Sequence, residues 1–173
     1  MPELPEVEVV KKSLENKLKN LTIKRVNITN NKLRYKIDSK LFSKIKSQKI
    51  ISIQRRSKYL LINLTKNSTI LAHLGMTAKF FIIDNNKKHK TSFYYSLKKN
   101  DIKHDHITFF FNKKIKLIYN DIRKFGFIKL YTNKDVFNCS HLASLGPEPL
   151  SNNFNLKYFE KFILNKKKKL KIY

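Results

Sequence analysis

A chain that opens Met1-Pro2-Glu3 puts an unusual nucleophile beside a carboxylate. Met1 precedes a small residue, so aminopeptidase removal is expected and would leave Pro2 with a free secondary amine. Such an amine attacks the anomeric carbon of a sugar only when unprotonated. α-Amino groups titrate near ~8, so a useful neutral fraction exists at physiological pH. A primary amine gives an imine that can lose its charge. A secondary amine gives an iminium that cannot, and this leaves a permanent electron sink for a later elimination. Glu3 is adjacent and can act as acid and base around the same sugar. Many proteins carry Pro at the second position, so the reading needs support from elsewhere in the chain.

That support begins with the rarest residues. The chain has 3 Gly and 4 Pro, and all of them fall in four short segments: PELPE, HLGM, RKFG and LGPEP. Elsewhere the turns are written in Asn, Lys and Asp. Glycine is required where φ is positive or where another backbone or a ligand comes close, and proline where φ must be fixed. A composition hostile to glycine that keeps Gly75, Gly126 and Gly146 marks three constrained places, with ordinary tight turns as the plain alternative.

The elements that must position these segments follow from periodicity. Val7, Val10, Leu14 and Leu18 recur at helical spacing with Lys11, Lys12, Glu15 and Lys19 between them, which predicts an amphipathic first helix. Asp38 is placed to cap a short second helix carrying Leu41, Phe42 and Ile45. Over residues 50–131 the pattern changes to short β-rich runs: IISIQ, YLLINL, TILAHL, KFFII, TSFYYSL, HITFFF, KLIYN and GFIKLY. Polar turn signals (TKNS, DNNKK, KKND, NKK) separate them, so successive hairpins in an antiparallel sandwich or barrel are expected. FNLKYFEKFIL is helical again and runs into Lys166 to Lys169, a run that would ordinarily be a solvated tail.

Composition bounds the partners. The chain has 173 residues, 41% hydrophobic, enough for one well-cored domain and short for two. Its 38 Lys plus Arg against 12 Asp plus Glu give a net charge of +26. Only Arg25, Arg34, Arg55, Arg56 and Arg123 are arginines, and Asn, Ile and Phe are abundant, so part of the basicity is compositional drift of an AT-rich genome. The remainder favours nucleic acid over a small-molecule substrate. Cys139 is the 1 Cys, which excludes an internal disulfide and any Cys-based zinc site in this chain. No apolar run approaches the roughly 18 residues of a membrane span, and the acidic N-terminus is no signal peptide. A monomeric cytoplasmic protein is expected.

With these residues in view, a resemblance can be stated. MPELPEVE, QRRSKYLL, HLGM, KHDH, DIRKFG and LGPEPL occur in the order found in formamidopyrimidine-DNA glycosylases, which the chain resembles from Met1 to about Lys171. Endonuclease VIII, the sister family, usually starts MPEGPE and is the near alternative. The resemblance implies an α+β chain: an antiparallel β-sandwich with flanking helices, the catalytic domain over residues 1–150. It implies removal of oxidised purines (8-oxoguanine, formamidopyrimidines) from damaged double-stranded DNA, then strand cleavage by AP lyase chemistry. Position by position, Pro2 resembles the Schiff-base nucleophile and Glu3 the proton donor and acceptor at the deoxyribose, while Glu6 supports the lesion pocket. Lys58 resembles the lysine that contacts the phosphate beside the lesion and donates a proton in β-elimination. Met76, Arg123 and Phe125 resemble the residues that fill the gap left by an extruded base. Extrusion costs a few kcal/mol, which an apolar wedge and a guanidinium can offset in part. Pattern alone would put Met76 and Phe125 in the core. His104 and Lys166 resemble phosphate-binding positions. A metal pair of His104 and His106 is set aside, because the family uses no metal there.

The chain also departs from that pattern. Ala78 stands where relatives usually have Gly. Residues 151–173 are expected to begin the linker toward a helix-two-turn-helix domain, with a four-cysteine zinc finger beyond it. Neither is found in this sequence. Zinc is therefore expected in full-length relatives and no cofactor in this chain. A catalytically weak or inactive basic DNA-binding remnant is the rival reading.

Overall fold

The computed structural model describes residues 2–93 and 101–164. Its first helix, α1 (Leu4–Leu18), buries Val7, Val10, Leu14 and Leu18, the stripe its spacing predicts. Strand β1 (Ile23–Ile28) follows, then the short helix α2 (Ser39–Ser43). Asp38 caps α2 as expected, its side chain accepting the Leu41 N–H at 3.1 Å. Phe42 is buried, Leu41 is partly exposed, and Ile45 lies past the helix end yet is fully buried.

The remaining strands are β2 (Ile50–Arg56), β3 (Tyr59–Leu64), β4 (Ser68–His73), β5 (Lys79–Asp84), β6 (Lys87–Lys90), β7 (Asp105–Phe111), β8 (Lys116–Asn120) and β9 (Phe127–Thr132), with α3 (Leu156–Ile163) last. They form two antiparallel sheets, of order β1-β7-β8-β5-β6 and β2-β3-β4-β9. Their facing sides enclose one large apolar cluster that includes the stripe of α1, Ile53, Leu60, Ile62, Phe80, Phe109 and Tyr119. Burying such a side chain contributes about 1.5–3 kcal/mol, so this cluster is what fixes the two sheets face to face. A second cluster lies on the other side of the smaller sheet. There the chain after β9 folds back, and Val136 and Leu142 cover Leu61, Leu71 and Phe127.

Two details differ from the expected strands. Thr91, Ser92 and Phe93, the start of TSFYYSL, are not strand, and the rest of that run is outside the described residues; the strand hydrogen-bonded to β5 is the lysine-rich β6 instead. The hairpin turns do without glycine. Asn85 and Asn86 join β5 to β6 with φ of 47 and 63, and Lys113 and Lys114 join β7 to β8 with φ of 58 and 59. Paired left-handed residues match the twist of the flanking strands, and Asn accepts that conformation more readily than most residues.

Candidate active site

Strand register shows what converges. In the smaller sheet Tyr59, His73 and Phe127 lie in one row, the last before the turns. In the larger sheet Lys79, Asn120 and Asp105 do the same. The β2–β3 turn, the β4–β5 loop, the β8–β9 loop and the short 3-10 turn at Asp101–His104 therefore all emerge at one rim of the sandwich. α1 runs beside β2 with its N-terminal end at that rim: Glu8 meets Arg55, while Asn20 donates to Ile50 O at the far end. Pro2, Glu3, Lys58, Met76, His104, Arg123 and Phe125 are thus carried to one place from five segments. Lys166 lies outside the described residues.

The N-terminal arm is short and stiff. Pro5 sits at the second position of α1, where its missing N–H costs nothing, and Glu3 is the N-cap. The Glu3 backbone carbonyl accepts the Val7 N–H at 3.0 Å, but its side chain makes no capping hydrogen bond. That leaves an exposed carboxylate next to a half-exposed Pro2. Glu6 is half-exposed on the first turn of the same helix.

Lys58 stands in a tight turn whose first residue, Ser57, has φ 51. Glu148, from LGPEP, holds that turn. One carboxylate oxygen accepts the Ser57 N–H at 2.7 Å and the Arg56 guanidinium at 2.9 Å, and the other takes Arg55 at 2.9 Å. Arg55 also bonds Glu8 of α1 at 2.8 Å, and Arg56 donates to the Gly146 carbonyl. Burial works against the Glu148 carboxylate, but its bonds from Ser57, Arg56 and Arg55 hold its pKa below the usual value. One network thereby joins the helix that carries Pro2 to the turn that carries Lys58.

Across the rim, HLGM and RKFG are clasped backbone to backbone. Gly75 has φ 56, and a Cβ there would stand 2.6 Å from Gly126 N and from the Phe125 carbonyl carbon. At Gly126 a Cβ would fall 2.7 Å from the His73 carbonyl oxygen and closer still to the Tyr119 hydroxyl. Tyr119 donates to that same carbonyl at 2.8 Å. Buried Asp121 closes the clasp: it accepts the Thr77 hydroxyl at 2.6 Å and the Gly126 N–H at 2.8 Å, and Arg123 N–H donates to Thr77 at 3.1 Å. From this base Met76 and Phe125 project, each 45% exposed, with the Arg123 guanidinium 4.7 Å from the Phe125 ring centroid. Pattern alone puts Met76 and Phe125 in the core; they are surface tips. Ala78 fits here, buried and donating its N–H to Leu74 O at 2.9 Å.

His104 and His106 do not form a pair. His104 is in the 3-10 turn and half-exposed, whereas His106 is buried with Nε2 donating to the Asp121 carbonyl at 2.8 Å. His106 is a tie between β7 and the clasp. No group of three or more His, Cys, Asp or Glu suited to a metal occurs among the described residues.

One neighbour of Lys58 was not singled out by the sequence. His73 lies among Tyr59 and Phe127, and burial, helped by Arg34, His141 and Lys58, lowers its pKa to about 4. The ring is neutral at physiological pH, and Nδ1 accepts the Gly75 N–H at 3.2 Å, which puts its proton on Nε2. The HLGM segment was legible as special, but a histidine in it could equally have been core.

A two-sheet sandwich with an N-terminal helix and these loops at one rim is also found in solved DNA-bound proteins. The complex of Lactococcus lactis Fpg with DNA containing an abasic site has this fold, with a TM-score of 0.75 at 28% identity over 93% of this chain and 55% of that one. The model of the formamidopyrimidine-DNA glycosylase N-terminal domain matches residues 1–128. The formamidopyrimidine-DNA glycosylase of Rickettsia bellii is 40% identical over 171 residues, covering 99% of this chain and 58% of that protein. That of Rhodopseudomonas palustris is 32% identical, with 99% and 59% covered. The chain belongs to the formamidopyrimidine-DNA glycosylase family, and it spans little more than half the length of these relatives.

Proposed function

We propose that this chain is a base-excision-repair glycosylase and AP lyase that works through Pro2 on damaged double-stranded DNA, as a cytoplasmic monomer. The observation that carries the reading is the meeting at one rim of the PELPE arm, the Lys58 turn and the Gly75–Gly126 clasp. Once Met1 is removed, the Pro2 nitrogen bonds to C1′ as the glycosidic bond breaks, and the base leaves with the electron pair. Glu3 hands a proton to the ring oxygen as the sugar opens, giving an iminium. Glu3, now a carboxylate, takes a C2′ proton while the C–H electron pair moves into the iminium to give an enamine. The enamine expels the C3′ phosphate, with Lys58 protonating the departing oxygen. Met76 and Phe125 enter the vacated stack while Arg123 meets the orphaned base. His104 and Lys166 hold phosphates, Glu6 supports the lesion pocket, and oxidised purines are the substrates. Among the described residues no group of three or more His, Cys, Asp or Glu suits a metal, and we place zinc in the part of longer relatives that this chain does not cover.

Base extrusion needs contacts on both sides of a lesion, and misplacement by about 1 Å can cost roughly a hundredfold in rate. A chain spanning 58% of a relative is therefore proposed to act weakly on 8-oxoguanine duplex and better on abasic duplex, where no base is removed. Single-turnover rates on the two substrates test this, with and without a relative's C-terminal half fused after Tyr173. The fusion should raise the 8-oxoguanine rate far more than the abasic rate. Full 8-oxoguanine activity of the unfused chain would refute the proposal of a weak half. No cleavage of abasic duplex by either form would refute the lyase assignment.

A further inference from the structure

Away from the rim, the outer face of the five-stranded sheet carries a lateral row of residues in register across every strand. Arg25 is opposite Phe110, Phe110 opposite Lys116, Lys116 opposite Ile83 and Ile83 opposite Lys88. The next row toward the rim reads Asn27, Thr108, Ile118, Phe81 and Lys90. Alternation along the strands turns Phe109, Leu117, Phe80 and Ile82 inward. On the opposite face Phe81 and Ile118 are covered as well, while Arg25 and Lys90 are exposed and Phe110, Lys116, Ile83 and Lys88 are half-exposed.

The cations of this face are laid on rings. The Arg25 guanidinium lies 3.7 Å from the Phe110 centroid, with Lys116 Nζ 5.5 Å from the same centroid. Lys88 Nζ is 4.0 Å from the Phe81 centroid. Stacking on an aromatic face fixes a cation without neutralising it. The ion pairs among the described residues engage Lys11, Lys17, Arg55 and Arg56, and none of these three. Neither row contains a carboxylate. Asp105 stands one row nearer the rim and accepts from Asn120, and Asp84 pairs with Lys17 of α1.

Adjacent strands are about 4.8 Å apart, so Arg25, Lys116 and Lys88 mark out roughly 19 Å across the sheet. A single small anion would meet only one of them. A nucleic-acid strand carries a charge every ~3.4 Å and would meet all three. We propose that this outer face is a second nucleic-acid surface. It grips the phosphate backbone of a duplex segment other than the one at the rim, without reading sequence. One chain could then bridge two segments of DNA and pass between them.

The test uses the full chain and two undamaged duplexes, one fixed to beads and one fluorescent. Wild-type protein should hold the fluorescent duplex on the beads, and salt should release it. The variant R25Q/K88Q/K116Q should retain roughly tenfold less, as expected for the loss of three phosphate contacts. Its affinity for a single duplex containing an abasic-site analogue and its melting temperature should stay near wild type. The variant M76A/R123A/F125A should bind the abasic-site duplex several-fold more weakly while still bridging undamaged duplexes, whose bases stay stacked, so failure of the rim reading is separable from failure of this one. The proposal is overturned by equal retention in the two chains, by equal loss of both kinds of binding, or by bridging that sedimentation assigns to a protein dimer. Displacement of the fluorescent duplex by poly-glutamate as effectively as by DNA, charge for charge, would give the face to an acidic protein and also overturn it.

Discussion

The arm and the clasp face each other across the rim and are held by different forces. At the arm, Arg55 lies between Glu8 and Glu148, while Glu148 also secures Arg56 and the Ser57 N–H. These groups are partly exposed, so their attraction is screened by salt and removed by acid. At the clasp, Gly75 and Gly126 let two backbones touch, and fully buried Asp121 bonds both loops. Steric fit depends on neither salt nor acid. The difference teaches how one rim serves two tasks. The side chains proposed to do chemistry are carried by an adjustable charged frame, whereas the tips proposed to enter the duplex stand on a base that cannot yield.

The clasp should break hardest. Gly75→Ala forces an L side chain into φ 56 against the backbone of Phe125 and Gly126. A loss of about 2–4 kcal/mol is expected, read as a lower urea midpoint at unchanged slope. A variant as stable as wild type would show that the loops can part without penalty.

The arm should yield less. Glu148→Ala strands two guanidinium groups and one N–H, all partly hydrated, and should cost about 1–2 kcal/mol. Its effect should shrink in high salt, where that of Gly75→Ala should not. Since the folded pKa of Glu148 is lowered, its stabilisation is present above the ordinary carboxylate range and fades as pH falls through the folded value. Wild type and Glu148→Gln should therefore draw together in denaturation midpoint as pH falls below the ordinary carboxylate range, and converge only below the lowered folded value.

His73 joins the two regions and sharpens the contrast. Its folded pKa of about 4 against an ordinary 6.5 means the unfolded chain binds more protons between those values. Stability should rise with pH from about 4 to 6.5 and then level off. His73→Asn should flatten that slope, although the lowered pKa of His141 leaves a part of it. An unchanged slope would exclude His73 as the group responsible.

Gly146→Ala should do least. A Cβ there meets only the Tyr158 side chain, its hydroxyl at 2.7 Å and its Cζ at 3.7 Å, the far end of a side chain and no backbone. A change within about 0.5 kcal/mol is expected by thermal melting. A larger loss would place Gly146 with the clasp glycines.

Much of this was legible because glycine and proline are so scarce. Three of their four segments build the rim, and the fourth, LGPEP, folds back to hold the Lys58 turn. The stripe of α1 and the Asp38 cap were readable from spacing and side-chain chemistry alone. What stayed hidden has physical causes. β6 is KKHK and has no apolar residue, so only its pairing with β5 makes it a strand. β1 is interrupted by a register shift between Ile23 and Arg25, which blurs its alternation. The rings around His73 come from residues as far apart as Tyr35, Tyr59, Phe127 and His141, and only the folded chain stacks them. The exposure of Met76 and Phe125 was equally unreadable, since an apolar tip and an apolar core residue look alike in one sequence.

The central claim is that the nitrogen of Pro2 is the nucleophile, and covalent capture measures it most directly. Borohydride added with abasic duplex should reduce the iminium to a stable protein–DNA adduct, which peptide mass spectrometry should map to residue 2. Pro2→Gly should weaken capture strongly at an unchanged melting temperature. The tip variant M76A/R123A/F125A should still be captured, because no base has to leave. An adduct mapped to a lysine, or capture undiminished in a Pro2→Gly chain blocked at its N-terminus, would contradict the account.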